Sequence, residues 1–479
     1  MKSNNKFFKI GIIYTIGQLL TKAMSFVMIP IYTKELGVIG FGQLSIVDTV
    51  MNFVSSFLII SIYSGYIRFY RDYEEEKRNK LRNTAITFAL IMAIINIVLS
   101  ITLGKYISKY IFDFENSYSI FILLIFRSLL AQFITLLMCD YNLNYNAQKT
   151  VLISFVQMIF DLIFVAYFVV LEDKGIIGIY LGYICSSLII LVSLVVKQIK
   201  RIKVEFDKDM FKDMFKFSFG LIPCNLSATV LDLADRYFLS GYKGFTQTGI
   251  YSMGYKVGML IDPVFISPFK SIFTTFKFQI WNEKDGKKRM NEMFINYHLL
   301  GCLIIILLTV GSELIIILLS NREYLGAVNL IPLILFSYFL YGENEFFSLG
   351  IQVRNKTYIT SIIMLIGGSV NIILNMLFIP KFGMYGAAFA TLLSYVVINK
   401  INIFVSKKYY EIKYDLKKSY FIDFVGIFIC LLYIITGKYI TNIFIKMLIG
   451  FLYVIIYIVL MERNKILNIN KIRNIIEKK

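Results

Sequence analysis

The chain presents apolar runs of about twenty residues again and again along its length. A helix needs about 20 apolar residues to cross the roughly 30 Å hydrocarbon core of a bilayer. The sequence is 57% hydrophobic and 17% charged, which is more apolar and less charged than an ordinary soluble protein. Because the runs are continuous rather than alternating, they do not fit a transmembrane β-barrel. We therefore predict an all-α polytopic membrane protein.

Fourteen segments meet this length and composition. The predicted spans cover residues 8–30, 41–66, 83–104, 119–140, 150–171, 176–196, 217–240, 249–276, 294–318, 327–349, 357–379, 384–405, 420–437 and 441–461. The stretch MIPIYTKELGVIGFGQLSI at residues 28–46 then forms the hairpin between the first two spans. Pro30 is predicted to end the first span, and Gly37, Gly40 and Gly42 let the backbone reverse without Cβ clashes.

Lysine and arginine are concentrated in alternate loops, and such loops stay in the cytoplasm. With both termini inside, about 36 Lys and Arg residues fall on the inner side and about 8 on the outer side. Because the net charge of +19 lies largely in these loops, we predict no nucleic-acid partner. The first apolar run lacks a small-residue cleavage site, so we interpret it as a retained helix rather than a signal peptide.

The sequence also resembles itself at an offset of about 207 residues. The matches are Phe8-Lys9 with Phe215-Lys216, Gly42–Ser45 with Gly249–Ser252, Lys149-Thr150 with Lys356-Thr357, and Gly175-x-x-Gly178 with Gly383-x-x-Gly386. The offset contains six spans, an even number, so the two halves would share one orientation in the membrane. We predict a six-helix bundle in residues 1–200, its repeat in 201–410, and two extra helices with a basic cytoplasmic tail in 411–479. The tail after residue 465 fits either an interfacial helix or a frayed end.

Ionisable side chains inside the predicted spans are costly in lipid and therefore mark partners, cavities or ligand sites. These residues are Lys22, Asp48, Arg127, Asp161, Asp232, Asp235, Arg236, Lys256, Asp262, Lys270, Glu343, Glu345 and Lys446. Asp232 and Arg236 are four residues apart, so they can pair on one helix face. By contrast, Asp262, Lys270 and Glu345 lie near predicted span ends and can reach the interface.

Lys22 and Lys256 lie well inside their spans and have no acidic residue three or four positions away. Their ammonium groups need an anion, which is either an acidic side chain of another helix or a bound anionic ligand. The embedded charges do not recur at the repeat offset, which fits either a substrate with one charged end or sequence drift. Pro263 and Pro268 remove two backbone donors and predict a kinked or loosened helix after Lys256.

The sequence lacks the common catalytic motifs. It contains no HExxH, P-loop, GxSxG or nucleotide-binding glycine pattern, and its loops are too short to fold a catalytic domain. The five cysteines are scattered without a CxxC pair and are interpreted as small buried apolar side chains. His298 is the single histidine and has no metal partner in sequence. We predict no enzyme activity, metal site or cofactor.

Three motifs together resemble the polysaccharide biosynthesis family of lipid-linked oligosaccharide flippases. Its superfamily also contains the multidrug-and-toxin-extrusion antiporters and the lipid II flippase. The family's P-x-Y-x-x-x-LG-x-x-x-FG hairpin is similar to Pro30, Tyr32, Leu36-Gly37 and Phe41-Gly42. Asp235-Arg236 followed by GIYSMGYK at 249–256 resembles a second family pattern, and GMYGAA at 383–388 resembles a third. The resemblance extends over the whole chain.

This resemblance implies two six-helix bundles around a central cavity, in a bacterial plasma membrane. It implies a flippase that moves an undecaprenyl-pyrophosphate-linked oligosaccharide from the inner to the outer leaflet by alternating access. Lys22, Lys256, Arg236 and Arg127 would bind the pyrophosphate and glycan, although the two lysines stand where the lipid II flippase branch prefers arginine. Asp48, Asp161, Asp235 and Glu343 are candidates for coupling to H⁺ or Na⁺.

The implied partners are the lipid-linked oligosaccharide, membrane lipids and the polymerase machinery of a polysaccharide. Two alternatives stay open at this point. One is a multidrug or cation antiporter of the same superfamily, in which cavity acids would dominate. The other is a membrane-embedded glycan polymerase or glycosyltransferase, which would need a larger outer loop than the one near residues 105–118.

The distribution of positive charge makes a direct prediction about topology. A cysteine placed at Lys243 should react with a membrane-impermeant maleimide added to intact cells. A cysteine at Lys284 should react only after permeabilisation, because its loop is one of the basic inner loops. The opposite labelling pattern would reverse the predicted orientation.

Overall fold

The computed structural model describes residues 2–144, 146–354 and 356–467, and it describes their side chains except at residues 2–25, 76, 147, 224 and 357. The side chain of Lys22 and the basic tail from residue 468 onward therefore lie outside what is described. Within the described residues, all regular secondary structure is helical.

Fourteen α-helices follow one another along the part of the chain that the structure describes. They are α1 (Lys2–Leu58), α2 (Ile62–Phe69), α3 (Glu75–Ile111), α4 (Ser117–Leu143), α5 (Ala147–Ala166), α6 (Gly175–Gln198), α7 (Lys208–Gly258), α8 (Ser267–Ile280), α9 (Gly286–Leu319), α10 (Ile331–Phe347), α11 (Leu349–Val353), α12 (Thr357–Lys407), α13 (Leu416–Gly437) and α14 (Ile443–Arg463). Short π-helical turns at Tyr167–Leu171 and Asp262–Ile266 and 3₁₀ turns at Tyr70–Asp72, Ile199–Arg201 and Arg322–Leu330 connect some of them.

Eleven segments of the described chain are long and apolar enough to cross a bilayer. Helices α1, α7 and α12 each contain one glycine at which the backbone leaves the helical conformation, namely Gly37, Gly244 and Gly383. These breaks fall in three of the predicted loops. Each break divides one of the eleven segments into two, so the structure is compatible with the fourteen predicted spans.

The positive-φ glycines follow the predicted internal repeat. Gly37 has a φ of 63° and Gly244 a φ of 80°, and these residues are 207 positions apart. Gly175 and Gly383, with φ of 51° and 55°, are 208 positions apart. A side chain would strain a backbone in this left-handed region, so glycine is favoured at all four positions. The recurrence of this backbone feature at the repeat offset supports an internal duplication.

The two predictions about proline have different outcomes. Helix α1 does not end at Pro30 but continues to Gly37, so that prediction is wrong. Proline removes one backbone donor, whereas a helix end exposes several groups that lipid cannot bond. At Pro263 the prediction is confirmed, because α7 ends at Gly258 and a π-helical turn replaces the α-helix at Asp262–Ile266.

The chain forms two compact units. Unit 1 comprises the residues up to Ser240 together with Gly244–Gly249, and unit 2 comprises Gly241–Lys243 and the residues from Ile250 onward. In unit 1, α4 packs on α3 and α6, and α5 packs on α1 and α6. In unit 2, α10 packs on α12, while α13 and α14 both pack on α9. The predicted division at residues 200 and 410 follows the sequence repeat rather than these contacts, and it stays a prediction.

Two glycines of unit 1 allow a reciprocal close approach of backbones. A β-carbon at Gly42 would overlap the carbonyl oxygen of Phe245, and one at Gly249 would overlap the carbonyl oxygen of Val38. Gly42 and Gly249 are 207 positions apart, as are Val38 and Phe245. Small residues of this kind let membrane helices come close enough for backbone contact.

Replacing these glycines should therefore destabilise unit 1. We expect Gly42→Ala and Gly249→Ala each to lower the stability of the purified protein by about 1–3 kcal/mol, because the added methyl group has no room. The matched control is Gly220→Ala, where a β-carbon would meet nothing within 4 Å. Thermal unfolding in detergent measures the effect, and equal stability of the three variants would contradict the close approach.

Candidate functional site

Polar side chains from α1 and α6 meet inside unit 1. The hydroxyl group of Tyr180 donates a hydrogen bond to Oδ1 of Asp48 over 3.1 Å. The hydroxyl oxygens of Tyr32 and Tyr183 lie 2.5 Å apart. These contacts join residues more than 130 positions apart in sequence, and they place a carboxylate predicted for ion coupling among three tyrosines.

Helices α4 and α5 add opposite charges to the same region. The guanidinium carbon of Arg127 lies 5.3 Å from the ring centroid of Tyr183, within cation–π range. Asp161 on α5 interacts electrostatically with Arg127. Nη1 of Arg127 and Oδ1 of Asp161 are buried atoms without a hydrogen-bond partner among the described residues. We call Tyr32, Asp48, Arg127, Asp161, Tyr180 and Tyr183 the N-terminal polar cluster.

Helix α7 carries the predicted substrate-binding residue Arg236 in a buried position. Its Nη1 donates to the backbone carbonyl of Asp232 over 2.6 Å and lies 3.7 Å from Oδ1 of Asp235. The structure thus places the carboxylate of Asp235 within ion-pair distance of Arg236, and the side-chain pair that Asp232 and Arg236 could form stays a prediction. Asp235 is fully buried, so the positive charge of Arg236 and the negative charge of Asp235 lie close together in the interior of unit 1.

Lys256 belongs to unit 2 and is exposed in the last turn of α7. The π-helical turn that follows it begins at Asp262, whose Oδ1 accepts a hydrogen bond from Ser267 over 2.9 Å. The cationic side chain therefore lies directly before an irregular stretch of helix. Its role in binding an anion stays a prediction.

Two further carboxylates of unit 2 form ion pairs between helices. Glu345 on α10 lies 2.6 Å from Nζ of Lys270 and 2.7 Å from Nζ of Lys277, both on α8. Glu313 on α9 lies 2.8 Å from Nζ of Lys446 on α14. Lys277 is fully buried. The sequence places Lys270 and Glu345 near span ends, where they could reach the interface. In the structure their ion pair links α8 to α10 instead.

The single histidine lies between two carboxylates. Nδ1 of His298 on α9 is 2.7 Å from Oδ1 of Asp423 on α13, and its Nε2 is 3.2 Å from Oε1 of Glu343 on α10. Nδ2 of Asn399 on α12 donates to Oε2 of Glu343 over 2.9 Å. We call His298, Glu343, Asp423 and Asn399 the histidine cluster.

The sequence identified only part of this cluster. Glu343 is among the predicted ion-coupling residues, but Asp423 and the role of His298 were missed. Asp423 lies inside the predicted span 420–437, so the same criterion of an embedded charge would have found it. The same is true of Glu313 in the predicted span 294–318.

Solved structures of membrane transporters share this fold. The chain is similar to the inward closed conformation of the lipid II flippase MurJ, with a TM-score of 0.73 and 17% identity over 95% of this chain and 100% of that chain. It is also similar to an inward-facing multidrug resistance MATE transporter, with a TM-score of 0.65 and 10% identity over 81% and 93% of the two chains. A MOP superfamily transporter from Pyrococcus furiosus gives a TM-score of 0.57 at 12% identity, over 84% and 95%. At such identities these similarities show the fold.

The family model described as polysaccharide biosynthesis protein matches residues 8–277. This is more than half of the 479 residues, and the chain belongs to that family. The chain is also 26% identical over 347 residues to an uncharacterized membrane protein of Methanocaldococcus jannaschii, which spans 70% of this chain and 68% of that protein. The expected family and the expected helical membrane fold are thereby confirmed.

The ion pair between Glu313 and Lys446 tests whether embedded charges of unit 2 are structural. We expect Lys446→Met to destabilise the protein by about 1–3 kcal/mol, because the half-buried carboxylate of Glu313 would lose its cation. The double variant Glu313→Gln/Lys446→Met should recover most of this loss. Thermal unfolding of the purified variants measures both effects. A double variant no more stable than Lys446→Met would contradict a structural pair.

Proposed function

We propose that this protein is a flippase that moves an undecaprenyl-pyrophosphate-linked oligosaccharide from the inner to the outer leaflet by alternating access. The observation that supports the proposal is the family assignment over residues 8–277. In addition, the fold is similar to that of a lipid II flippase over the whole length of that protein. The product would feed the assembly of a cell-surface polysaccharide in a bacterial cell envelope. The chain would act as a transporter without enzyme activity, with both termini in the cytoplasm.

The physical task of such a protein is to shelter polar groups from hydrocarbon. A glycan and a pyrophosphate cannot cross a bilayer unaided, because burying unpaired polar and charged groups is prohibitive. The polyprenyl chain, by contrast, is as apolar as the surrounding lipid. The protein therefore needs polar and cationic side chains on its membrane helices, in positions that a head group can reach.

The cationic candidates differ in how they can bind a pyrophosphate. Lys22 and Lys256 offer point charges, whereas a guanidinium group can donate two parallel hydrogen bonds to one phosphate. Arg236 is buried beside Asp235, so its charge is partly balanced within unit 1. The geometry therefore favours Lys256, which is exposed, over Arg236 as a direct contact of the pyrophosphate.

The N-terminal polar cluster suits the glycan better than the pyrophosphate. A sugar hydroxyl both donates and accepts hydrogen bonds. Nη1 of Arg127 is a donor and Oδ1 of Asp161 is an acceptor, and both lack a partner among the described residues. Three tyrosines supply aromatic rings and hydroxyl groups beside them. These groups would become available to the glycan when the cluster opens during the cycle.

The driving force has two candidate sources. An inside-negative potential favours outward movement of an anion by about 2.3 kcal/mol per charge per 100 mV. The carboxylates Asp48, Asp161, Asp235 and Glu343 are candidates for coupling to H⁺ or Na⁺ instead. Of these four, Glu343 is the one that the structure places beside a histidine.

A drug or cation antiporter is the second candidate, because MATE transporters share the fold. The two functions differ in what they require from Lys256. A cation antiporter gains nothing from a membrane-embedded ammonium group facing its substrate, whereas a carrier of pyrophosphate does. A strain that lacks this protein would become drug-sensitive in the first case and would lose surface polysaccharide in the second.

The direct test uses purified protein in proteoliposomes that contain a polyprenyl-pyrophosphate-linked oligosaccharide. A membrane-impermeant glycosidase added outside measures the fraction of glycan exposed. The protein should raise the rate at which protected glycan becomes accessible, relative to empty liposomes. Equal rates in the two preparations would reject the flippase function.

The same assay tests the predicted cations. We expect Lys22→Ala and Lys256→Ala to reduce the rate by at least about tenfold, since each loses a charge-assisted contact of about 1.5–3 kcal/mol with the pyrophosphate. Lys256→Arg is the matched control and should retain activity, because it keeps the positive charge. Full activity of both alanine variants at normal protein levels would reject their role in binding pyrophosphate.

A further inference from the structure

The histidine cluster of unit 2 carries an unbalanced charge. His298 is fully buried, and its ring nitrogens face two carboxylates, those of Glu343 and Asp423. Within the described residues, no lysine or arginine forms an ion pair with either carboxylate. With a protonated imidazole and two ionised carboxylates, the cluster has a net charge of −1. One further proton makes it neutral.

The neighbouring ionisable groups do not compensate this charge. Around the cluster lie Tyr297 and Cys302 of α9, Glu345 of α10, Tyr414 before α13, Tyr420 and Cys430 of α13, and Tyr457 of α14. Phenol and thiol groups are neutral near pH 7, and Glu345 is already paired with Lys270 and Lys277. A surplus negative charge beside the buried side chains of His298 and Glu343 is costly, and one added proton would remove it.

The two carboxylates are not held equally by the histidine. Nδ1 of His298 forms a hydrogen bond of 2.7 Å with Asp423. Nε2 lies 3.2 Å from Oε1 of Glu343, but the N–H direction misses the oxygen, so the contact is an ion pair without a hydrogen bond. The other oxygen of Glu343 accepts from Asn399. Glu343 is also the more deeply buried carboxylate, with 6% of its side chain exposed against 17% for Asp423. Because a buried charge is costlier than a partly exposed one, Oε1 of Glu343 is the oxygen that we expect to take the added proton.

We propose that His298, Glu343 and Asp423 form a proton-binding site that takes up and releases one proton in each transport cycle. The binding of the proton stands on the cluster alone, while its use in transport rests on the proposed flippase function. In the step, one H⁺ from the aqueous phase binds Oε1 of Glu343, and the net charge of the cluster rises from −1 to 0. The coupling ion of this transporter is thus H⁺.

Protonation has a defined structural consequence. A protonated Oε1 cannot remain the anionic partner of the imidazolium N–H, so the ion pair between His298 and Glu343 is lost. The hydrogen bond from the hydroxyl group of Tyr297 to the carbonyl of Phe339 still joins α9 to α10. The hydrogen bond between His298 and Asp423, which joins α9 to α13, is kept. The proton would therefore remove one of the links between α9 and α10 while the link between α9 and α13 is unchanged.

The single histidine allows a direct test of proton binding. Protein labelled with ¹⁵N-histidine, purified without a histidine tag, gives imidazole NMR signals from His298 alone. Between about pH 5 and pH 9 we expect the Nε2 signal to shift in one step, with a smaller change at Nδ1. Glu343→Gln and Asp423→Asn each leave a neutral cluster and should lack the step. The control Glu313→Gln/Lys446→Met removes another half-buried carboxylate of the unit and should keep the step.

Three NMR results would overturn the proton site. The first is a His298 spectrum that does not change over this pH range, which would mean a permanently charged structural bridge. The second is a step that persists in Glu343→Gln, which would place the proton elsewhere. The third is a shift caused by Na⁺ at constant pH with no effect of pH itself, which would make the site a sodium site.

The coupling to transport is measured separately in the proteoliposomes. If one proton moves per glycan, a gradient of one pH unit should change the final ratio of outer to inner glycan by about tenfold. Glu343→Gln should abolish this response. If the ratio of outer to inner glycan with the wild-type protein does not change with the pH gradient, the coupling role is overturned. If the wild type moves no glycan at all, the flippase function fails, while the NMR titration still decides whether the proton site exists.

Discussion

Every backbone N–H and C=O group inside the hydrocarbon core needs a hydrogen-bond partner from the protein, because lipid offers none. The described chain meets this requirement with long helices that leave the helical conformation at few points. In α1, α7 and α12 these points are Gly37, Gly244 and Gly383, where the positive φ costs glycine little. The same requirement explains why α1 runs through Pro30, since a missing donor is cheaper than a helix end.

Charged side chains inside the membrane also need partners from the protein, and several of those in the described residues have one. Arg82 pairs with Asp140, Lys446 with Glu313, and Glu345 with two lysines of α8. Such pairs fix the relative positions of helices. In the described part of the chain, the N-terminal polar cluster has unbonded atoms of Arg127 and Asp161, and the histidine cluster has a surplus negative charge. Our proposals concern these two places because polar groups without a partner in a membrane are costly and therefore favour binding of a ligand or a proton.

Much of the fold could be predicted, and only part of the site. Arg127, Asp161 and Glu343 were identified as embedded charges, because a charged residue in an apolar run is visible without any alignment. Their partners were not identified, since an apolar run does not reveal how its helix is rotated about its axis. Asp423 and Glu313 were missed although they lie in predicted spans, so these two omissions were avoidable. The pairing of Asp232 with Arg236 stays a prediction, and the contacts that the structure adds are those of the guanidinium group with the backbone carbonyl of Asp232 and the carboxylate of Asp235.

The sequence by itself determined the helical membrane class, the places where helices break, and the family. Each of these depends on local features, such as the length of an apolar run or a glycine at a required backbone angle. Only the tertiary structure decided which polar groups meet. Tyr180 reaches Asp48 across 132 residues, and His298 reaches Asp423 across 125. Contacts of this kind depend on the rotation and depth of each helix, which are fixed by its packing against several neighbours at once.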